Sequence, residues 1–122
     1  MKNKLLKEHF LNPCNIGTIE GSKYNSIVKS EICNDIVKMS ADIDPDGKIN
    51  DIKVQVYGCG YSISGASLIS ENSIGKNINE LTEQSHQKLE NSLTDLTDKN
   101  KTCALLAQKA LLEIIKKYQT GK

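Results

Sequence analysis

The chain has 122 residues, a formal net charge of +1, few aromatic residues and no tryptophan. Its length predicts a single domain over residues 1–122 with one hydrophobic core. The balanced charge and the scarcity of aromatic side chains argue against a nucleic-acid-binding surface, and no apolar run reaches the ~20 residues of a membrane span. The N-terminal sequence has no signal-peptide pattern, so we expect a cytoplasmic protein whose four cysteines stay reduced.

The first half of the sequence predicts a short helix followed by three strands. Apolar residues at helical spacing indicate a helix over residues 2–11, which ends before Pro13 because the residue preceding a proline disfavours helical backbone. A weaker alternation predicts a strand over residues 24–31. Residues 44–47 (Asp-Pro-Asp-Gly) have the composition of a turn that joins the two strands of a hairpin. The inward-facing residues of that hairpin are Val37, Met39, Ala41, Ile43, Ile52, Val54 and Val56.

The second half predicts helices. Ser62 or Ser64 is a candidate N-cap for the first of them. Residues 77–90 predict one or two short helices, residues 92–101 a polar loop, and residues 102–118 a final helix with a broad apolar stripe. The sum is an α+β fold, in which a three-stranded antiparallel sheet is covered on one face by helices.

Three of the four cysteines lie where one predicted element follows another. Cys33 lies between two strands, Cys59 between a strand and a helix, and Cys103 at the start of the final helix. A helix N-terminus carries a partial positive charge and free amide donors, which favour the thiolate form that binds metal and accepts sulfur. The glycines on either side of Cys59 leave its sulfur unshielded.

Asp35 adds a carboxylate to this set of thiols. In extended backbone, side chains two residues apart project to the same side, so Asp35 would join Cys33. Three cysteines and one aspartate could close a tetrahedral zinc site. They could equally hold a [2Fe–2S] cluster, and the oxygen ligand would exchange more readily than a thiolate. The cysteine spacings match no zinc-finger pattern, so on the residues alone scattered core thiols remain an open alternative.

Four segments that contain these residues resemble the IscU/NifU N-terminal family of iron–sulfur cluster assembly scaffolds. In chain order they are residues 9–17 (HFLNPCNIG), 33–35 (CND), 56–68 (VYGCGYSISGASL) and 103–111 (CALLAQKAL). Their order and spacing agree with the family from about residue 7 to residue 118, and the segment around the second cysteine is the most specific.

The resemblance implies an IscU/SufE-like fold and a scaffold rather than a turnover enzyme. A cysteine desulfurase would deliver persulfide sulfur, iron would arrive, and a [2Fe–2S] cluster would be assembled and passed to recipient apo-proteins. The ligands carried over by position are Cys33, Asp35, Cys59 and Cys103. Among them, Asp35 is the residue that labilises the site, and Cys103 is also the sulfur acceptor. A monomer and a homodimer are both compatible with the resemblance.

Two positions depart from the scaffold branch of the family. Thr102 stands where that branch has a histidine before the last cysteine. Residues 96–100 (LTDKN) replace a Leu-Pro-Pro-Val-Lys motif, which puts recognition by the dedicated Hsp70-type chaperone pair in doubt. The alternative function is that of a zinc-bound, SufU-like sulfur acceptor of a desulfurase, although the chain lacks the insertion usual in that branch. A third possibility is a degenerate member that acts only as an interaction module.

Three further residues receive structural interpretations at this level. Cys14 stands at the arginine of the family's opening motif and is interpreted as an incidental loop thiol. His9 lies on an apolar helix face and is interpreted as a packing residue. His86 lies in a polar stretch and is interpreted as a solvated side chain.

Overall fold

The computed structural model of the chain describes residues 3–32, 34–81 and 83–121, with the side chains of residues 83–86 left out. The helices and strands, in chain order, are α1 (Lys4–Leu11), β1 (Tyr24–Lys29), β2 (Ile36–Ile43), β3 (Ile49–Tyr57), α2 (Gly60–Ser73), a 3₁₀ turn (Ile78–Glu80), α3 (Glu83–Asn91), α4 (Asp98–Ala104) and α5 (Leu106–Thr120). None of the helices in the described ranges combines the length and the apolar character of a membrane span.

The three strands form one antiparallel sheet in the order β1-β2-β3. The predicted hairpin is present, with Met39 opposite Val54 and Ala41 opposite Ile52. Its turn is fixed by Asp44, whose Oδ1 accepts hydrogen bonds from the backbone N–H groups of Asp46 and Lys48, each at 3.0 Å. The α+β class and the three-stranded antiparallel sheet predicted from the sequence are therefore confirmed.

One face of the sheet carries the main core. Helices α5 and α2 cover it, α5 against β1 and β2, and α2 against β3. The alternation that predicted the hairpin follows from this arrangement, because every second side chain of a strand points toward the helices. The most deeply buried sheet residues are Val37, Met39, Ala41, Ile49, Ile52 and Val54, which meet Leu106, Ala110 and Ile114 of α5.

A second, smaller core lies between α1, α2 and the segment that leads into α4. Its buried residues are Leu6, Leu68, Leu93 and Ala104. Helix α2 is thus apolar or small on nearly all sides, as expected of a helix enclosed by other elements. Gly65 is the point of closest approach, since a Cβ atom there would lie 1.9 Å from the backbone oxygen of Ala104. This glycine lets α4 pack directly on α2.

The predicted N-cap of α2 is wrong by a few residues. The helix begins at Gly60, and its N-cap is Cys59, which has extended backbone and makes no side-chain capping bond. Ser62 and Ser64 lie inside the first turns, and Ser64 Oγ donates back to the carbonyl oxygen of Gly60 at 2.7 Å. The error arises because serine hydroxyls satisfy backbone groups within a helix as well as at its start.

The predicted loop over residues 92–101 is present only as far as Thr97, and the predicted start of the last helix at residue 102 is wrong. Thr97 caps a separate short helix, α4, by accepting a hydrogen bond from the N–H of Asn100 at 3.2 Å. Helix α4 ends at Ala104, Leu105 interrupts the helical backbone, and α5 begins at Leu106. Cys103 therefore lies in the last turn of α4 and not at a helix N-terminus.

Candidate metal centre

Cys59 lies between the end of β3 and the start of α2. Its side chain is exposed, and its position as the N-cap places it at the positive end of a 14-residue helix. The sequence-based expectation of a thiol at a strand-to-helix junction agrees with this geometry. For Cys103 the same expectation fails, because its side chain is only 2 % exposed and lies at the C-terminal end of α4.

Asp35 approaches the same junction from the turn before β2. Its carboxylate is buried, and Oδ2 accepts hydrogen bonds from the backbone N–H of Cys59 at 3.4 Å and from the hydroxyl of Ser62. The Cys59 thiol lies 3.3 Å from the same oxygen. The start of α2 therefore holds a buried carboxylate in contact with an exposed thiol.

Gly58 is required by that contact. A Cβ atom on Gly58 would lie 2.4 Å from Cγ of Asp35, inside any permitted contact distance. On the other side of the cysteine, a Cβ atom on Gly60 would lie 3.0 Å from a ring carbon of Phe10, whose side chain is half exposed and can give way. The two glycines around Cys59 thus do more than expose its sulfur, because one of them makes room for the carboxylate.

Cys103 completes a group of three. The sulfurs of Cys59 and Cys103 and a carboxylate oxygen of Asp35 all lie within 4.8 Å of one another. These residues come from three separate parts of the chain, and the close packing of α4 on Gly65 brings Cys103 to the junction. Two sulfur donors and one oxygen donor at this separation suit zinc or iron.

The remaining predicted ligand, Cys33, lies outside the described residues. Its neighbour Asn34 has a φ of +56°, a left-handed conformation that asparagine tolerates better than most residues. The extended backbone expected between Cys33 and Asp35 is therefore wrong at Asn34, and a shared site for these two side chains stays a prediction.

The other residues singled out from the sequence have local roles. Thr102 Oγ1 donates to the carbonyl oxygen of Asp98 at 2.8 Å within α4. The side chain of His86 lies outside the described part of the chain. His9 is buried as predicted, with Nδ1 2.7 Å from Ser67 Oγ.

Cys14 was missed as a member of a cluster. Its sulfur donates to Glu71 Oε2 at 3.1 Å, and a ring nitrogen of His9 lies within 4.8 Å of both donor atoms. The hydrogen bond to Glu71, burial and the carboxylate charge together raise the pKa of the Cys14 thiol, the first cause being the largest. The five-residue spacing of His9 and Cys14 was visible in the sequence, but their convergence with Glu71 was not.

The small α+β domain brings two thiols and a buried carboxylate together at a strand-to-helix junction, which is the donor set of a metal or cluster site. The chain belongs to the family of the NifU-like N terminal domain, whose model matches residues 1–122. The resemblance to the IscU/NifU N-terminal family predicted from four short segments is thereby confirmed.

Individual relatives agree with this membership. The chain is 29% identical over 120 residues to the iron-sulfur cluster assembly scaffold protein IscU of Rickettsia prowazekii, covering 96% of this chain and 91% of the relative. It is 30% identical over 115 residues to the scaffold protein of the same name from Haemophilus influenzae, covering 92% and 90%.

One solved structure shows the same fold at lower identity. The N-terminal NifU-like nitrogen-fixing protein of Brucella abortus superposes with a TM-score of 0.80 at 18% identity, covering 98% of this chain and 95% of the other. At that identity the likeness supports the fold alone.

Proposed function

We propose that this chain is a scaffold on which an iron–sulfur cluster of the [2Fe–2S] type is assembled and from which it is transferred. The observation that carries this function is the convergence of Asp35, Cys59 and Cys103 within 4.8 Å at the start of α2. Family membership and the names of the relatives support it. The cluster is cargo, and the chain acts as its carrier rather than as a turnover enzyme.

The ligand set of the cluster comprises Cys33, Asp35, Cys59 and Cys103. Thiolates are the ordinary ligands of such clusters. Asp35 supplies an oxygen that is fixed in place by Ser62 and by the backbone N–H of Cys59. These donors hydrogen-bond the Asp35 carboxylate when it is not bound to metal. Asp35 can therefore leave the metal without becoming an unpaired buried charge, which favours release of the cluster.

Access to the cluster runs through Cys59. Its side chain is exposed, whereas Asp35 is 5 % exposed and Cys103 is 2 % exposed. A cysteine desulfurase that supplies sulfur and an apo-protein that accepts the cluster would both meet the site from this side. Reduced thiols are needed for this chemistry, which fits the predicted cytoplasmic location.

Cys103 is the proposed sulfur acceptor. Its thiolate attacks the outer sulfur of the desulfurase persulfide, the sulfur–sulfur bond breaks, and the desulfurase thiolate leaves, so no external oxidant or reductant is needed. Because Cys103 is buried, α4 must move away from α2 before the attack. Mass spectrometry after incubation with a desulfurase and cysteine should locate persulfide mainly on Cys103. Persulfide mainly on Cys14 or Cys59 would contradict this assignment.

A zinc-bound sulfur acceptor of a desulfurase is the second candidate function. The donor set favours it, since cysteines and one carboxylate can complete a tetrahedral zinc site. The Cys103 chemistry would be the same, but no cluster would form.

Anaerobic reconstitution separates the two functions. The purified chain is incubated with ferrous iron, cysteine, a desulfurase and a dithiol reductant that converts the persulfide sulfur to sulfide, and it is then mixed with an apo-ferredoxin. The scaffold function predicts a visible [2Fe–2S] chromophore that moves to the ferredoxin. The second candidate would be supported if the chain binds zinc tightly and stimulates the desulfurase but forms no visible chromophore. Uptake of neither metal nor sulfur would leave only an interaction module.

A further inference from the structure

A second group of side chains that could ligate a metal lies where α1 and the loop after it meet α2, far from Cys59. It consists of His9, Cys14 and Glu71. Glu71 is twelve residues after Cys59 in the sequence, which corresponds to about 18 Å along the helix axis. The two groups therefore cannot share one ion.

The three side chains converge from separate segments. His9 belongs to α1, Cys14 to the loop after it, and Glu71 to α2. One ligand atom from each lies within 4.8 Å of the other two, and the closest pair is Cys14 Sγ and Glu71 Oε2 at 3.1 Å. In a tetrahedral zinc site, bonds of 2.0–2.3 Å place the ligand atoms about 3.3–3.8 Å apart. Shifts on the order of 1 Å in the half-buried Cys14 and exposed Glu71 side chains would close the group around an ion.

Ser67 holds two of the three ligands in position. Its buried hydroxyl lies 2.7 Å from Nδ1 of His9 and accepts a hydrogen bond from the backbone N–H of Cys14, also at 2.7 Å. Histidines that ligate metal through one ring nitrogen are commonly fixed by a hydrogen bond at the other. Ser67 lies one helical turn before Glu71, so the same face of α2 supplies both the support and the third ligand.

The group is accessible and chemically matched to one class of ion. Glu71 is exposed and Cys14 is half-buried, and both line an open cleft together with His9, Glu8 and Asn12. Sulfur, imidazole nitrogen and carboxylate oxygen are together the donor set of zinc, and three protein ligands leave a fourth position for water. A zinc ion there would replace the proton that the Cys14 thiol now donates to Glu71, and its charge would balance the thiolate and the carboxylate together.

We propose that His9, Cys14 and Glu71 form a second metal site that binds one zinc ion and ties the loop after α1 to α2. Binding at this site does not depend on the scaffold function, because it uses none of the residues at the start of α2. Cys14, interpreted from the sequence as an incidental thiol, is the residue that makes the site possible.

The test removes the first site and then measures the second. In a Cys59→Ala, Cys103→Ala background, zinc affinity and stoichiometry are measured by dialysis with metal analysis, and Co²⁺ is used as a spectroscopic probe. The expected result is about one zinc per chain and a sulfur-to-cobalt charge-transfer band. Adding Glu71→Gln should lower zinc affinity about 100-fold or more. Adding Cys14→Ser should abolish the cobalt band.

A matched control checks that loss of charge is not the cause. Glu113→Gln removes one exposed carboxylate from α5 and should leave zinc affinity unchanged. Since Glu71 is exposed, its replacement does not threaten the fold. Equal zinc affinity in the background, Cys14→Ser and Glu71→Gln proteins would overturn the site, as would cobalt binding without a sulfur band. Either result would leave the scaffold test unaffected.

Discussion

Asp35 shows how much of the candidate centre depends on one side chain. It is a buried carboxylate placed within 3.3 Å of the Cys59 sulfur and bonded by Ser62 and by the Cys59 N–H. Those hydrogen bonds stabilise the carboxylate when no metal is bound, and so they compete with its binding to metal. Under the proposed function, the same residue would complete the site during assembly and withdraw from it during release.

Replacement of Asp35 by alanine should lengthen the life of a bound cluster. Without a ligand that exchanges readily, the [2Fe–2S] absorption of the reconstituted protein should decay several-fold more slowly, and transfer to an apo-ferredoxin should slow by a similar factor. Asp42→Ala, which removes an exposed carboxylate from β2, is the control. Equal decay rates for the Asp35→Ala and wild-type proteins would show that Asp35 does not labilise the site.

Gly58 offers a stability test of the same contact. Because a Cβ atom there would lie 2.4 Å from Asp35, Gly58→Ala should lower the free energy of unfolding by roughly 1–3 kcal/mol in urea titrations. Gly60→Ala should cost less, since it meets only the movable ring of Phe10. The double change Gly58→Ala with Asp35→Ala should recover much of the loss. No recovery would mean that the two residues do not clash.

At the scale of elements, the predictable parts are those with a strict hydrophobic period. Val37, Met39 and Ala41 alternate in β2, and the stripe of α5 runs from Leu106 to Tyr118, so both elements could be predicted. The break at Leu105 could not, because apolar residues continue at helical spacing on both sides of it. The sequence does carry a local signal for α4. Thr97 is a suitable N-cap residue, and an acidic residue follows it in the first turn.

The contact between α2 and α4 gives a prediction for Gly65. A Cβ atom there would meet the backbone of Ala104 at 1.9 Å, so Gly65→Ala must push α4 away. We expect the free energy of unfolding to fall by about 3 kcal/mol or more. We also expect an alkylating reagent that reacts with accessible thiols to modify Cys103 faster. Asn72→Ala, an exposed change in the same helix, serves as the control. Unchanged alkylation of Cys103 would show that α4 does not cover it through this contact.

At the scale of the molecule, function depends on residues distant in sequence that meet in space. The residue types at the centre could be singled out from the sequence because they follow strands or lie beside helices, and because their segments resemble a known family. Their separation within 4.8 Å could not, since it depends on how α4 packs against α2. The convergence of His9, Cys14 and Glu71 could not be predicted because it depends on how α1 packs against α2.

The most direct measurement of the central claim is the iron and sulfide content, after anaerobic reconstitution, of variants in which one cysteine is replaced by alanine. If Cys59 and Cys103 bind one cluster together, Cys59→Ala and Cys103→Ala should each lose most of the [2Fe–2S] absorption, whereas Cys14→Ala should retain it. A cluster that persists in both Cys59→Ala and Cys103→Ala but disappears in Cys14→Ala would contradict the account.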